Sequence, residues 1–271
     1  MSVRGLVRRS LFFVAVSVIA AGPVLYGQGT QTTFEPQVGQ AGKDVVWVPT
    51  PQALVDKMLD MAKVTPQDFL MDLGSGDGRT VITAAKRGTR AMGIEYNPDM
   101  VELSQKNAKA AGVTNATFVK ADLFETDFSK ATVITMFLLP EINLKLRPKI
   151  LNMRPGTRVV SNSFTMGEWE ADQTEMVGEG CTSWCTALFW IVPAKVDGAW
   201  KLPQGELTLK QNFQMVSGTL KSNATSTTIS NGRIRGDQIT FDAGGTHYQG
   251  KINGNTMEGT ITSGASWRAT R

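Results

Sequence analysis

The sequence predicts an α/β protein: a doubly wound, mostly parallel sheet followed by a small antiparallel all-β module. Three observations predict it. Strand-like apolar runs alternate with helix-period segments to about residue 193, the pattern of a parallel sheet covered by helices on both faces. A glycine-rich stretch, Asp72-Leu73-Gly74-Ser75-Gly76-Asp77-Gly78-Arg79, leaves the first of these strands and opens a helix. Near Asp197 the composition shifts: residues 197–271 hold 11 of the 27 glycines and the turn pairs Asn231-Gly232, Gly236-Asp237, Gly244-Gly245 and Asn253-Gly254. Such turns between alternating runs predict a meander that closes as a small barrel or packs as a sandwich.

Composition narrows the function. With 41% hydrophobic and 19% charged residues, the chain is globular rather than disordered or built of many membrane spans. His247 is the only histidine and Cys181 and Cys185 the only cysteines, which excludes sites needing several His or Cys ligands; no metal is expected. Lys and Arg number 28 against 24 Asp and Glu, but Arg4, Arg8 and Arg9 precede the first acid, Glu35; without them the count is 25 against 24. That lacks the basic excess of a duplex-binding module, and no nucleic-acid partner is expected.

The N-terminus reads as an export signal over residues 1–27: three arginines, an apolar run over 11–21, then Gly22-Pro23 and small polar residues. The run falls short of the ~20 residues that span a bilayer, so an uncleaved anchor is the second reading, and membrane contact is confined to this leader. Arg8-Arg9-Ser10-Leu11-Phe12 resembles a twin-arginine signal. The expected location is exported, periplasmic or envelope-associated. A polar linker over 28–43, a sheet domain over 44–196 and the β module over 197–271 follow.

In the sheet domain, Thr50-Pro51 predicts a helix start, with Thr50 as N-cap and Pro51 at the first helical position. Leu54, Val55, Met58, Leu59 and Ala62 recur at helical spacing. Residues 69–73 and 90–95 read as strands, and Val81, Ile82 and Ala85 mark the helix between them. Asn97-Pro98 caps a helix that runs to Ala111 and stops at Gly112. Strands follow over 116–119, 132–138 and 158–161. Residues 141–153 read as a helix broken or restarted at Pro148.

The glycine stretch is a candidate nucleotide site because of its strand-to-helix context. A dinucleotide site wants a third glycine where Arg79 stands; here the pattern is G-x-G-x-G after an acid. S-adenosylmethionine (SAM) offers no pyrophosphate but a carboxylate, an ammonium and a sulfonium. Asp72 suits the ammonium, and the amides around Gly74, Ser75, Gly76 and Gly78 suit the carboxylate. Glu95, at the end of the next strand, is placed to accept both ribose hydroxyls. Asp122, after the third, is placed to accept the adenine amine, with Leu123 and Phe124 packing beside the ring.

These residues resemble the class I, Rossmann-like SAM-dependent methyltransferases, which implies a seven-stranded sheet and SAM as cofactor. Val48-Pro49-Thr50-Pro51, the Asp72 loop, the run from Phe137-Leu138-Leu139-Pro140-Glu141 to Lys149, and Phe164-Thr165-Met166-Gly167-Glu168-Trp169 are similar to the small prokaryotic and mitochondrial protein-lysine methyltransferases. The resemblance implies a protein substrate, a Pro49–Thr50 segment folded over the cofactor, and substrate-side positions at Leu139, Pro140, Glu141 and Trp169. No catalytic base is identified. Met136, Phe137 and Leu138, with Trp169, are expected to form an apolar wall. Glu141 is open between orienting an ammonium and being an exposed helix-start acid. The alternative function is a non-catalytic exported binding protein whose β module grips a partner or glycan.

Other residues have plainer readings. Trp47 is open between stacking on adenine and plugging an apolar seam, the plug being preferred. Met58, Met61 and Met71 read as core, and His247 as a surface residue of a hairpin. Cys181 and Cys185 flank the turn of the sheet domain's last hairpin. They are open between a disulfide, which an exported protein permits, and two free thiols.

Overall fold

The computed structural model describes residues 1, 2, 5 and 34–271, apart from residues 204 and 224. The chain divides into two units, 1–33 and 34–271, and the second is described below. The expected leader, but for residues 1, 2 and 5, and the start of the linker lie outside the described residues.

A sheet domain comes first. Its elements are α1 (Gln52–Met61), β1 (Phe69–Leu73), α2 (Arg79–Lys86), β2 (Arg90–Glu95), α3 (Pro98–Ala110), β3 (Ala116–Lys120), β4 (Val133–Met136), α4 (Pro140–Leu151), β5 (Arg158–Asn162), β6 (Gln173–Met176) and β7 (Thr186–Ile191). The seven strands lie in the order β3-β2-β1-β4-β5-β7-β6. β1 to β5 are parallel, and β7 runs antiparallel between β5 and β6. Both faces are covered. Leu70 packs with Leu54, Met58 and Val81 on one side, while Met71 and Leu73 pack with Ile134, Ile142 and Leu146 on the other. A strand buried on both faces is apolar throughout, which makes the acid at Asp72 conspicuous. The strand order reverses at β1, between β2 and β4, so a crevice opens at the carboxyl ends of these strands, where open α/β sheets bind ligands.

Two helix expectations need correction. Pro51, not Thr50, is the N-cap of α1, and no side chain caps it. The Thr50 hydroxyl instead accepts from Asn162 Nδ2 at 3.2 Å, which ties the segment to β5. Pro148 does not break α4, which runs continuously over Pro140–Leu151. Proline removes the N–H that would reach the carbonyl of Leu144, and Leu144 is on the exposed side of the helix. Asn97 caps α3 as expected, accepting from the Asp99 N–H.

The C-terminal module is a closed antiparallel barrel of β8 (Gly198–Leu202), β9 (Gly205–Asn212), β10 (Met215–Ser222), β11 (Thr225–Arg235), β12 (Gln238–Ala243), β13 (Thr246–Asn253), β14 (Thr256–Ile261) and β15 (Ser266–Thr270). Of barrel and sandwich, the chain adopts the barrel. Trp200, Leu207, Phe241 and Met257 fill its interior, so it is a packed core rather than a channel. Arg233 pairs with Asp172, Gln214 Nε2 donates to the Glu170 carbonyl, and Phe213 stacks on Trp169. These contacts seat the barrel on the sheet domain. His247 is half exposed on β13 and pairs with Asp242 at 2.6 Å, as a surface histidine.

Candidate active site

The glycine loop leaves β1 with Gly74, Gly76 and Gly78 at φ +79°, +54° and +82°, values that L side chains rarely adopt. Gly74, Ser75 and Gly76 line a cavity at the sheet's carboxyl edge. A Cβ on Gly76 would lie 2.7 Å from Trp47 Nε1, and one on Gly74 3.0 Å from Leu138 Cδ2. Gly78, expected among the cofactor-binding glycines, does not line this cavity. It is the N-cap of α2, and a Cβ there would meet the Phe118 ring at 2.7 Å and Ser104 Cβ at 3.0 Å. Its role is close packing of α2 on its neighbours. Gly78→Ala is expected to destabilise the fold by at least ~1–2 kcal/mol through its left-handed backbone alone, read as a lower denaturant midpoint.

The loop amides also depart from expectation. Gly74 and Ser75 donate to the Ile94 carbonyl and Gly78 to that of Ser75, and Gly76 donates to Glu95 Oε2 at 2.9 Å. Three of these N–H groups fasten the loop to the end of β2 and that of Gly78 closes the loop on itself, so none of the four is free to hold a ligand carboxylate.

Asp72 is 6% exposed and takes one hydrogen bond, from Thr135 Oγ1 on the neighbouring β4 at 2.7 Å. Burial pushes its carboxyl up to about 7, against the Thr135 bond, and the negative charges of Glu95 and Asp77 add to the rise. Among the described residues no Lys or Arg pairs with it. Glu95 is held differently. Oε2 accepts from Gly76 and Oε1 from the N–H groups of Tyr96 and Asn97, each at 2.9 Å. A carboxylate has about four lone-pair positions, so three bonds leave roughly one. That leaves about one position for a ribose hydroxyl, where a grip on two hydroxyls was expected. Asp122 lies at the far end of the cavity with Leu123. Its carboxylate accepts from Lys43 Nζ and from the Phe124 N–H. The Lys43 bond lowers the Asp122 pKa, and the same bond raises that of Lys43.

Residues 40–43, expected to be linker, form part of the site. The Gly39 and Trp47 amides donate to the carbonyls of Trp47 and Gln40, with a bridge between Ala41 and Val46, and residues 40–50 line the cavity. Trp47 belongs to that lining, against Gly76, rather than to an apolar seam. Pro49 and Thr50 line the same cavity. Arg79 clamps them to the loop: Nε bonds Asp77 at 3.0 Å, and Nη1 donates to the Thr50 carbonyl at 3.0 Å.

The apolar part of the lining includes Met136, Phe137, Leu138, Leu139, Phe164 and Trp184. Three expected substrate-side residues are not there. Pro140 and Glu141 start α4 on its exposed side, so Glu141 is the helix-start acid. Trp169 is fully buried between Trp190 and Phe213; it plugs the seam between sheet and barrel. Cys181 and Cys185 form a disulfide, which settles their open reading and fixes the loop that carries Trp184.

The cavity lining carries five carboxylates, Asp44, Asp72, Asp77, Glu95 and Asp122, against two cations, Lys43 and Arg79. It suits a ligand with net positive charge. SAM fits: its ammonium complements the unpaired buried Asp72, a ribose hydroxyl the remaining position on Glu95, and its adenine the Asp122–Leu123 end.

Comparison with known proteins agrees. The ANTKMT methyltransferase domain family matches residues 72–173. A protein-lysine N-methyltransferase of Saccharolobus islandicus (strain REY15A) is 44% identical over 140 residues, 50% of this chain and 87% of that protein. The adenine nucleotide translocase lysine N-methyltransferase of Mus musculus is 35% identical over 129 residues, 46% of this chain and 55% of that protein; the chain thus spans little more than half of the mouse protein's length. A crystal structure described as an RNA methyltransferase from Salinibacter ruber, in complex with S-adenosyl-L-homocysteine, superposes with TM-score 0.52 at 48% identity, covering 55% of this chain and 96% of that one. With the sheet order, the acids on successive strand ends and these relatives in agreement, the chain belongs to the lysine-methyltransferase group of class I SAM-dependent methyltransferases.

Proposed function

We propose that the chain transfers a methyl group from SAM to the side-chain amine of protein lysine. The observation that carries this reading is the apolar wall of Met136, Leu138 and Leu139 at the cavity, together with 44% identity over 87% of an archaeal protein-lysine N-methyltransferase. Such a wall suits a desolvated amine, and the charge count without the leader arginines, 25 basic against 24 acidic, lacks the basic excess of a nucleic-acid-binding surface. This favours the substrate named for the archaeal and mouse relatives over the RNA named for the Salinibacter structure.

When bound, SAM supplies a methyl already activated on a positively charged sulfur. The protein's own contribution is to position and desolvate. Asp72, Glu95 and Asp122 orient the cofactor from three strand ends. Met136, Leu138 and Leu139 disfavour charge on the incoming amine, whose ordinary pKa of ~10.4 keeps it protonated in water. No side chain in the lining is needed as a dedicated base.

The test is transfer of label from methyl-tritiated SAM to a cell extract. Label in protease-sensitive material that hydrolyses to methyllysine is the expected result. Label confined to ribonuclease-sensitive material sinks the lysine reading, and tight SAM binding without transfer supports a non-catalytic binding protein instead. We also propose that the protein is exported. The basic, then apolar N-terminus and the Cys181–Cys185 disulfide support this; mass spectrometry of the protein's N-terminus in each cell fraction checks it.

A further inference from the structure

We infer that Phe137, Phe164 and Trp184 form a wall that receives the acceptor's ammonium or methylammonium head through their π faces, with Trp184 the specificity-determining ring and the Cys181–Cys185 disulfide the device that positions it. The inference deepens the lysine reading and rests on it for the identity of the acceptor.

The three rings line the cavity and touch one another. Phe137 and Phe164 lie nearly parallel, with centroids 5.9 Å apart, and Trp184 is tilted against both at 6.0 and 5.1 Å. None belongs to a hydrophobic core cluster. Trp184 is 45% exposed, a large apolar surface to leave in water without a use. Each ring is held by a separate device. Phe137 directly follows β4. Phe164 follows Ser163, at φ +57°, and Asn143 Nδ2 donates to its carbonyl at 3.2 Å. Trp184 is itself at φ +56°, inside the five-residue loop closed by the disulfide. A non-glycine residue in that region persists where its surroundings over-determine it, as at ligand clamps.

Aromatic faces attract cations within about 6 Å of the ring centroid, most of all when the cation is desolvated. A wall of three rings therefore favours a weakly hydrated methylated ammonium over a neutral group of the same shape. A nucleobase fits less well: slipping between Phe137 and Phe164 would need roughly 7 Å, two ring contacts, and they stand 5.9 Å apart.

The test is calorimetry on the full chain saturated with S-adenosyl-L-homocysteine. The probes are Nα-acetyl-Nε-trimethyllysine amide and its neutral isostere, in which carbon replaces the quaternary nitrogen. The wild type is expected to bind the cation on the order of tenfold more tightly. Trp184→Ala should abolish that preference, Trp184→Phe should keep part of it, and the Cys181→Ser/Cys185→Ser double variant should lose it as Trp184→Ala does. S-adenosyl-L-homocysteine affinity should stay unchanged in all three. Equal binding of the two analogues by the wild type, a preference that survives Trp184→Ala, or tighter binding of uridine than of either analogue overturns the wall. A preference that survives the double serine variant overturns the disulfide's part in it. Because this readout needs no turnover, a protein that discriminates the analogues yet labels no lysine supports the wall while the transfer reading fails.

Discussion

Asp72→Asn is expected to weaken SAM binding by about a hundredfold or more, while leaving the unliganded protein at least as stable at pH 8. Asp72 is buried, accepts one bond from Thr135, and has no cationic partner among the described residues. It waits for a positive charge, and the cofactor ammonium supplies one. Removing one member of a buried charge pair costs about 3–5 kcal/mol. In the free protein the sign is opposite. Burial raises the folded carboxyl from 3.8 to about 7, so the stability linked to its proton is fully present below pH ~4 and is lost as pH rises through 7. Asn keeps an oxygen for the Thr135 hydroxyl and carries no charge, so it escapes that loss. The same pKa gives the wild type a pH signature: the cofactor selects the ionised carboxylate, so affinity should fall up to about tenfold per unit as pH drops below 7 and level off above it. Isothermal titration between pH 5.5 and 8.5 with both proteins checks both parts. A slope that persists in Asp72→Asn would place the titrating group elsewhere.

Readability from sequence follows the range of the interactions involved. Asp72, Glu95 and Asp122 each end or follow a short apolar run, and parallel pairing brings successive strand ends to one edge of the sheet; local pattern and topology suffice to place them. The barrel was equally legible, because Asn231-Gly232, Gly236-Asp237 and their kin are local turn chemistry. Lys43 and Trp184 are different. Lys43 sits 79 residues from Asp122, and Trp184 meets Phe137 only because β7 returns beside β5; no spacing in the sequence encodes either contact, although the Cys181–Cys185 pair marked the loop. Trp169 and Glu141 lie outside the cavity lining for a third reason. They belong to the segments that carry the family resemblance, yet such a residue serves packing as readily as chemistry: Trp169 is occupied by the barrel's Phe213, and Glu141 by the exposed first turn of α4. Gly78 shows the same split within one loop, where adjacent left-handed glycines serve cavity and helix packing separately.

Glu95→Ala should lower SAM affinity by ten- to a hundredfold and, unlike Asp72→Asn, should also destabilise the free protein. One carboxylate here does two jobs. It accepts the Gly76, Tyr96 and Asn97 N–H groups, fastening the glycine loop to the turn that leads into α3, and it keeps about one position for a ribose hydroxyl. A hydrogen bond to a charged group contributes about 1.5–3 kcal/mol, so the lost hydroxyl contact alone accounts for that range, and the loosened loop shows in the stability of the free protein. Glu95→Gln separates the two jobs. Its amide oxygen can serve the Tyr96 and Asn97 donors, but its NH₂ then confronts the Gly76 N–H, donor against donor, so the loop should still detach. Hydrogen exchange at the Gly76 amide reads this directly: faster exchange in both variants is expected. Protection of that amide unchanged in Glu95→Gln, together with lost affinity, would assign Glu95 to the ligand alone.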